Sequence, residues 1–211
     1  PQSYDPAGYQ AGFAVVANTL ASQKWIAQCR RVIWVSSTRV YRESQGGWVD
    51  EHSPLNLDEA QAGSMIAGEA AIRRAATATI IRPAGVYGDP EGMLMRRVQA
   101  GEGGATGALY GNRIHREDLS RLIAHCIERD HAGQVVPPTM VGADHDQAPT
   151  HEIEDWLADQ IGVTLNRPSD PSPPRAHRRC RNSLLERIGF TLSYPTWREG
   201  YRAALDALAH R

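Results

Sequence analysis

The residues best suited to do chemistry are three consecutive hydroxyl side chains, Ser36, Ser37 and Thr38. They follow an uninterrupted apolar run at 32–35, which is typical of a strand buried on both faces of a parallel α/β sheet. Such sheets place their chemistry just beyond the carboxyl ends of the strands. The hydroxyls could bind a hydroxyl or carbonyl group of a substrate. They could equally satisfy backbone groups at a strand end, as Ser and Thr often do.

The segments around this strand predict how it is held. Asp5 and Pro6 predict a helix start, with Asp as the N-cap and proline at the first helical position, and the helix is expected to run to about Cys29. An alanine-rich helix is predicted from about residue 58 to 75, followed by a second buried strand at 78–82. Helices and strands that alternate with short links indicate βαβ units and a parallel sheet.

The second half of the chain predicts mostly helices. Helices are expected at 93–100 and 116–129, after Thr150 and Asn182 as N-caps, and at 197–209, with one more strand at 134–141. The glycine-rich segment 101–111 predicts a flexible loop, and 166–181, with four prolines and five arginines, predicts irregular structure.

The overall composition is that of an ordinary globular protein. Hydrophobic residues make up 41% and charged residues 22%, and the net charge is -1. That charge gives no support for a nucleic acid or an anionic membrane as a partner, and no apolar run approaches the ~20 residues of a membrane helix. The three widely spaced cysteines match neither a metal site nor a disulfide framework, so a reducing cytoplasm is expected.

Two polar clusters allow a functional and a simpler interpretation. Arginines at four positions of the irregular segment could clamp a phosphate, although a solvated basic loop is the simpler interpretation: Arg175, Arg178, Arg179 and Arg181. The spacing of Asp144, His145, Asp146 and His151 matches no established metal site. Loop solvation and capping are expected there, and no metal is predicted.

Several motifs, in the same order along the chain, resemble those of the extended short-chain dehydrogenase/reductases, the NAD-dependent epimerase/dehydratase family. Val-Ser-Ser-Thr-x-Val-Tyr at 35–41 resembles the family's fifth strand and the turn after it. Further matches are Arg-Pro-Ala-Gly-Val-Tyr-Gly at 82–88, Asn-Arg-Ile-His-Arg-Glu-Asp at 112–118 and the late Leu-Gly-Phe element at 184–190. Gly47–Glu51 and Tyr194–Tyr201 resemble an atypical bacterial subgroup.

The resemblance implies an α/β fold with a Rossmann-like parallel sheet, incomplete at its amino end, and a small, mostly helical carboxyl-terminal substrate lobe. It implies a partial NAD(P)-binding domain at 1–92 and a substrate lobe at 93–211 that returns one strand to the sheet. NAD or NADP is the implied cofactor. The implied cofactor-binding residues are Ser36, Ser37, Pro83, Ala84, Gly85 and Val86, and the implied substrate-binding residues are Asn112, Arg113 and His115.

The catalytic residues of the family are only partly present. The family's Ser/Thr falls on Thr38, but Gln61 stands at the position of the catalytic Tyr and Met65 at that of the Lys. The Tyr acts as an acid/base because a neighbouring cation lowers a pKa that starts near ~10. An amide cannot exchange a proton in this way, and a thioether carries no charge to assist. Tyr41 and Tyr87 match other positions, where structural roles are expected.

The family's phosphate-binding turn, Gly-x-x-Gly-x-x-Gly between a first strand and a first helix, does not precede Val32. The glycines at 101–107 do not replace it, because they follow a predicted helix rather than a strand. We therefore expect the family's first four strands to be absent from these residues, which leaves 32–35 as an exposed apolar strand edge.

Three hypotheses follow. The first is an NAD(P)-binding, epimerase/dehydratase-like oxidoreductase for a sugar-type or small polar substrate, such as a nucleotide-sugar, with impaired catalysis. The second is a non-catalytic NAD(P)- or ligand-binding regulatory module. The third is a truncated, non-functional fragment.

Overall fold

The computed structural model describes residues 5–107, 109–168 and 177–210. Its strands are β1 (Val32–Val35), β2 (Trp48–Val49), β3 (Ala78–Pro83), β4 (Gly85–Tyr87), β5 (Arg113–His115), β6 (Thr139–Gly142) and β7 (Arg179–Cys180). Its α-helices are α1 (Pro6–Tyr9), α2 (Val16–Ala21), α3 (Ala60–Ala75), α4 (Met93–Gln99), α5 (Arg116–His131), α6 (Thr150–Ile161), α7 (Ser183–Arg187) and α8 (Trp197–Ala209). A π-helical segment, Gln10–Val15, joins α1 to α2, and 3-10 turns lie at Lys24–Gln28 and Thr38–Val40.

The main sheet of the described residues has three parallel strands in the order β1-β3-β6. Val32 pairs with Ala78, and Ile80 pairs with Thr139, so β3 lies at the centre. All of β3 after its first residue is buried, as expected for a strand covered on both faces. The predicted α/β fold with a Rossmann-like parallel sheet is confirmed. The domain boundary at residue 92 remains a prediction.

Helices cover both faces of this sheet. On one face, Val32 and Trp34 pack with Ile72 of α3 and Ala17 of α2. On the other face, Ile33 and Ile81 pack with Leu122 of α5. The alternation of neighbouring β1 side chains between two helical layers explains why this strand reads as a continuous apolar run.

Two short parallel pairs extend the fold towards the carboxyl ends of the main strands. In one, β4 pairs with β5, and Gly85 lies opposite Arg113. In the other, β2 pairs with β7, and Trp48 lies opposite Arg179. These pairs connect the sheet to the helices of the second half of the chain and form the framework of the site described below.

Some local predictions differ from the structure. The first helical segment ends at Ala21 rather than near Cys29 and continues only as a 3-10 turn. Thr150 is the first helical residue rather than the cap of α6, and Pro149 precedes it. Asn182 stands at the N-cap of α7, but its amide donates to the carbonyl of Ala143 at 2.8 Å and makes no capping bond.

The predicted strand at 134–141 is confined to Thr139–Gly142, because Pro137 and Pro138 cannot donate to a ladder. The segment 166–181, predicted to be irregular, contains β7 in its described part, and residues 169–176 lie outside the described residues.

No helix within the described ranges is long and apolar enough to cross a membrane. Those same ranges contain no group of three or more His, Cys, Asp or Glu residues that could hold a metal ion.

Gly200 is required by a close approach between α8 and β4. A Cβ at this position would lie 2.2 Å from the Tyr87 hydroxyl oxygen and 2.5 Å from its Cε2. The Tyr87 ring has little room to move, because it packs on Tyr201 at 4.7 Å between ring centroids. We expect Gly200→Ala to lower the free energy of unfolding by about 1–3 kcal/mol, as overpacking does.

Urea denaturation measures this change. Gly63→Ala in α3 is the matched control, since its nearest neighbouring atom is 3.8 Å away and Ala is the better helix former. Equal effects of the two substitutions would contradict the close approach.

Candidate functional site

A cavity of about 630 Å³ lies at the carboxyl ends of β1 and β4. The turn after β1 contributes Ser37 and Thr38, and β4 contributes Gly85 and Val86. Helix α4, parts of the segment 105–113, the start of α6 and Tyr201 of α8 complete the lining. The cavity therefore lies where parallel α/β sheets place their ligands, and it is enclosed by residues from both halves of the chain.

The three hydroxyls have different surroundings. Ser37 caps the 3-10 turn, because its hydroxyl accepts a hydrogen bond from the Arg39 N–H at 3.1 Å. The Ser36 hydroxyl is buried and has no hydrogen-bond partner. Thr38 lines the cavity and interacts with the Cys180 thiol of β7. The simpler interpretation, backbone satisfaction, therefore describes Ser37 alone.

Arg178 fixes the turn that carries Thr38. Its Nη1 donates to the carbonyl of Thr38 at 2.6 Å and to the carbonyl of Tyr41 at 2.8 Å. The residue is only 6% exposed, and burial lowers the pKa of its guanidinium. Interpretation of Arg178 as part of a solvated basic loop is therefore wrong. Arg175 lies outside the described residues.

The segment 83–86 turns from the sheet towards the cavity. Pro83 and Ala84 are buried behind its wall, and the Ala84 N–H donates to the carbonyl of Gly142 in β6. Gly85 and Val86 line the cavity, and Val86 is 53% exposed. Gly85 and Val86 therefore form one wall of the cavity, whereas Ser36, also predicted to bind the cofactor, is buried and is not among the lining residues.

The predicted substrate residues separate into two groups. Asn112 and Arg113 line the cavity. The Asn112 side chain also binds β7, since it donates to the carbonyl of Arg178 at 2.9 Å and accepts from the Cys180 N–H at 2.7 Å. His115 is not among the lining residues. It is 5% exposed, and its ring lies 3.7 Å from that of Tyr194.

His115 also stands at the N-cap of α5, where its Nδ1 accepts from the Glu117 N–H at 3.3 Å. Burial lowers the pKa of its imidazole, so the neutral, accepting form is favoured. This geometry gives His115 a capping role.

The two positions aligned with the catalytic Tyr and Lys do not face the cavity. Met65 is 1% exposed and packs in a core cluster with Tyr41 and Val141. Gln61 lies one turn earlier on α3 and is not among the lining residues. Thr38 is thus the one residue of the aligned catalytic set that lines the cavity.

A buried hydrogen-bond network joins β3, α3 and Tyr41, next to the core cluster that contains Met65. Arg82 of β3 donates to both carboxylate oxygens of Glu69, at 3.0 and 2.7 Å, and to the Tyr41 hydroxyl at 3.3 Å. Burial raises the pKa of Tyr41 to about 12, against the opposing effect of Arg82. Tyr41 is fully buried, so the expectation of a structural role fits its place in the core.

The glycine-rich segment beside the cavity is anchored by Glu154 of α6, whose side chain is fully buried. One of its oxygens accepts from the Gly104 N–H at 2.8 Å. Arg97 of α4 and Arg167 bind the same carboxylate at 2.7 and 2.8 Å. Arg97 and Ala105 line the cavity, so this carboxylate fixes one of its walls. Sequence reasoning missed Glu154, whose only sequence signal is its position on a helix with apolar neighbours.

Burial raises the pKa values of three acidic groups, two in the cavity lining and one outside it. It raises the pKa values of Tyr87 and Tyr201, which both line the cavity, so these phenols are poor acids at neutral pH. It raises the pKa of Asp144 to about 8, although Arg113 opposes this. Asp144 is fully buried, and the prediction that it belongs to a solvated loop is wrong.

Asp144 should make stability depend on pH. Its usual pKa is 3.8 and its folded pKa is about 8, so between these values the folded state holds a proton that the unfolded state has lost. The stabilisation is complete below pH 3.8 and is lost as the pH rises through 8. We expect Asp144→Asn to lose less stability than the wild type between pH 5 and pH 8.

Urea denaturation at both pH values measures the difference. Asp206→Asn, an exposed substitution on α8, should keep the wild-type dependence. Identical pH dependence of Asp144→Asn and the wild type would contradict the buried, protonated carboxyl group.

Comparison with known proteins gives matches among solved structures. A structure from Methylobacillus flagellatus, described as an NAD-dependent epimerase/dehydratase, has 26% identity and a TM-score of 0.76 over 97% of this chain and 81% of its own. An NAD-dependent NDP-hexosamine 5,6-dehydratase of tunicamycin biosynthesis has 18% identity and a TM-score of 0.76 over 98% of this chain and 71% of its own. No family model matches the chain, and no curated protein matches it.

A human epimerase family protein solved with NADPH has 18% identity and a TM-score of 0.74 over 98% of this chain and 73% of its own. At these identities the dehydratase and the human protein show the fold alone.

The chain has the extended short-chain dehydrogenase/reductase fold. The resemblance read from its motifs is confirmed, and its fold is that of the NAD(P)-binding epimerase/dehydratase group. The residues 112–118 and 194–201, whose motifs carried part of that resemblance, meet in space. Asp118 accepts from the N–H groups of Ser193 and Tyr194 at 2.7 and 2.9 Å.

The described residues fit one part of NAD(P). The exposed Val86 suits the flat face of a nicotinamide, and Ser37 and Thr38 bring hydroxyl groups to the same cavity. The described residues include no glycine-rich turn between a strand and a helix that would fit the pyrophosphate. The fit is therefore limited to the nicotinamide side.

Proposed function

We propose that this chain is an NAD(P)-binding, epimerase/dehydratase-like protein that takes a sugar-type small molecule in its cavity and lacks the family's Tyr–Lys chemistry. One observation carries this proposal. Thr38 lines the cavity, whereas Met65 is packed in the core and Gln61 lies outside the lining. When bound, NAD(P) would supply hydride donation or acceptance, with its nicotinamide side against Ser37, Gly85 and Val86.

In this proposal, Thr38 orients the substrate. Its hydroxyl can donate to a carbonyl or accept from a hydroxyl group, and the bonds from Arg178 to its backbone hold it in position. The neighbouring phenols are poor proton donors, because burial raises the pKa values of Tyr87 and Tyr201. A cavity that orients a substrate but has no poised phenol is consistent with impaired catalysis. A nucleotide-sugar, as acted on by the dehydratase neighbour, is the substrate class that we propose.

The second candidate is a non-catalytic ligand-binding module in the cytoplasm. The packing of Met65 in the core favours it, because a Lys there would need a charge partner in an apolar cluster. Both candidates predict ligand binding, and they differ in residual turnover.

Reduced-cofactor oxidation over a panel of nucleotide-sugars and aldehydes separates the two candidates. The first predicts slow turnover that falls at least tenfold in Thr38→Ala and is retained in Thr38→Ser. The second predicts a background rate in all three proteins. Fast turnover that survives Thr38→Ala would contradict both, because another group would then carry the chemistry.

A further inference from the structure

The cavity has an excess of positive charge. Its lining includes four arginines and one carboxylate: Arg39, Arg97, Arg113, Arg178 and Asp89. Two of these arginines are already paired, Arg39 with Glu59 and Arg97 with Glu154. Within the described ranges, the remaining two, Arg113 and Arg178, form no salt bridge with a carboxylate.

Arg113 has the fewer compensating contacts. Its Nη1 is buried without a hydrogen-bond partner. Its Nη2 donates to the Thr150 hydroxyl at 3.3 Å, a long contact, and its guanidinium also interacts with the Tyr201 hydroxyl. Asp144 is the nearby acid, and with its pKa raised to about 8 it is protonated at neutral pH. Arg113 therefore has a buried, unpartnered donor and no salt bridge within the described residues where the cavity meets the protein interior.

The backbone makes room for this guanidinium. A Cβ at Gly111 would lie 2.7 Å from Nη1 of Arg113 and 3.2 Å from the Thr150 hydroxyl. The Gly111 N–H donates to the carbonyl of Ala148 at 3.0 Å, which holds this stretch in place. The guanidinium therefore lies across a fixed backbone rather than extending into solvent.

The register of β4 and β5 puts Arg113 opposite Gly85 of the nicotinamide-side wall. Arg178 stands next to Thr38, as its 2.6 Å bond to the Thr38 carbonyl requires, and its Nε is also buried without a partner. Two incompletely satisfied guanidinium groups thus lie beside the two parts of the cavity assigned to cofactor and substrate. Guanidinium groups bind carboxylates and phosphates in a planar, often bidentate geometry.

We propose that Arg113, with Arg178 as the second cation, binds an oxyanion of the substrate and makes the cavity selective for acidic over neutral sugar-type molecules. This inference rests on the proposed function, which makes the cavity the substrate site. A carboxylate and a phosphate ester share the recognised chemistry. Arg113 is here a specificity-determining residue rather than an acid or base.

Isothermal titration calorimetry with inorganic phosphate, pyrophosphate and malonate tests the proposal directly. The variants are Arg113→Gln and the control Arg116→Gln, an exposed arginine three residues away. We expect at least one anion to bind the wild type and Arg116→Gln with equal affinity. Its affinity for Arg113→Gln should be at least tenfold lower. Binding to the wild type should also weaken at high salt, because salt screens the charge interaction. The anion that binds best identifies phosphate or carboxylate as the recognised group.

Equal affinity of the two variants, or no anion binding by the wild type, would overturn the proposal. Arg113→Lys, which retains the charge, should recover part of the affinity even if Arg113→Gln folds poorly. NADPH titration of the same samples keeps the two proposals distinguishable. NADPH binding without anion binding rejects the oxyanion site alone, whereas Arg113-dependent anion binding without NADPH binding rejects the cofactor assignment alone.

Discussion

Glu69→Ala should lower the free energy of unfolding by about 3–5 kcal/mol, which is typical for breaking a buried ion pair from one side. The side chains of Glu69 and Arg82 are 4% and 5% exposed. Burial lowers the pKa of Arg82, but its bonds and charge interaction with Glu69 outweigh this and leave its pKa above the usual value. Removal of Glu69 would leave a guanidinium charge buried at the centre of the sheet with the Tyr41 hydroxyl as its remaining side-chain contact.

Chemical denaturation of the variant measures the loss. Glu128→Ala, an exposed glutamate on α5, is the control and should change stability by less than about 0.5 kcal/mol. Since Glu69 lies one turn after Met65, this pair also fixes the helix that carries the two replaced catalytic positions. A loss below about 1 kcal/mol for Glu69→Ala would mean that Arg82 finds solvent or another partner.

Glu154→Ala should have the second largest effect, a loss of about 3 kcal/mol together with weakened ligand binding. Its fully buried carboxylate binds Arg97, Arg167 and the Gly104 N–H. This loss of unfolding free energy is at the lower end of the range for breaking a buried ion pair. The reason is that the Arg97 and Arg167 side chains are 36% and 17% exposed, so water can solvate them in the variant. Ligand binding should weaken because the Glu154 carboxylate holds the cavity wall that contains Arg97 and Ala105.

Glu152→Ala is the matched control, since Glu152 is exposed on the same helix two residues earlier. Hydrogen exchange should be faster at residues 101–107 in Glu154→Ala and unchanged there in Glu152→Ala. Unchanged exchange in both variants would show that the segment is held by other contacts, and the proposed role of Glu154 would be wrong.

The sheet could be predicted from the sequence because its signals are local. The strands β1 and β3 are short apolar runs bounded by polar or proline residues, and α3 and α8 lie close to the predicted ranges. Local sequence patterns do not predict a conformation that depends on pairing with a segment far away in the sequence. The two-residue strand β7 exists because Arg179 pairs with Trp48, far earlier in the chain, and nothing in its own proline- and arginine-rich surroundings indicates a strand.

In the site, too, some residues could be predicted from local sequence, whereas others depend on contacts with distant residues. Thr38, Gly85 and Val86 could be found because they follow strand ends, where parallel sheets bind ligands. Glu154 binds Gly104, which is 50 residues away, and Arg178 binds Thr38, which is 140 residues away. Asp144 reads as a loop carboxylate in sequence and is fully buried in the fold. Such roles depend on tertiary burial, which composition and spacing do not encode.

We propose that NADPH binds at the wall formed by Val86, and a fluorescence titration with two glutamate variants measures this binding. Val86 and Val15 are similarly exposed, at 53% and 51%, but only Val86 lines the cavity. A carboxylate at position 86 would block an apolar ring face, whereas one at position 15 would face solvent. We expect the wild type and Val15→Glu to bind NADPH equally and Val86→Glu to bind it at least tenfold more weakly. Equal binding by Val86→Glu, or no binding by the wild type, would contradict this proposal.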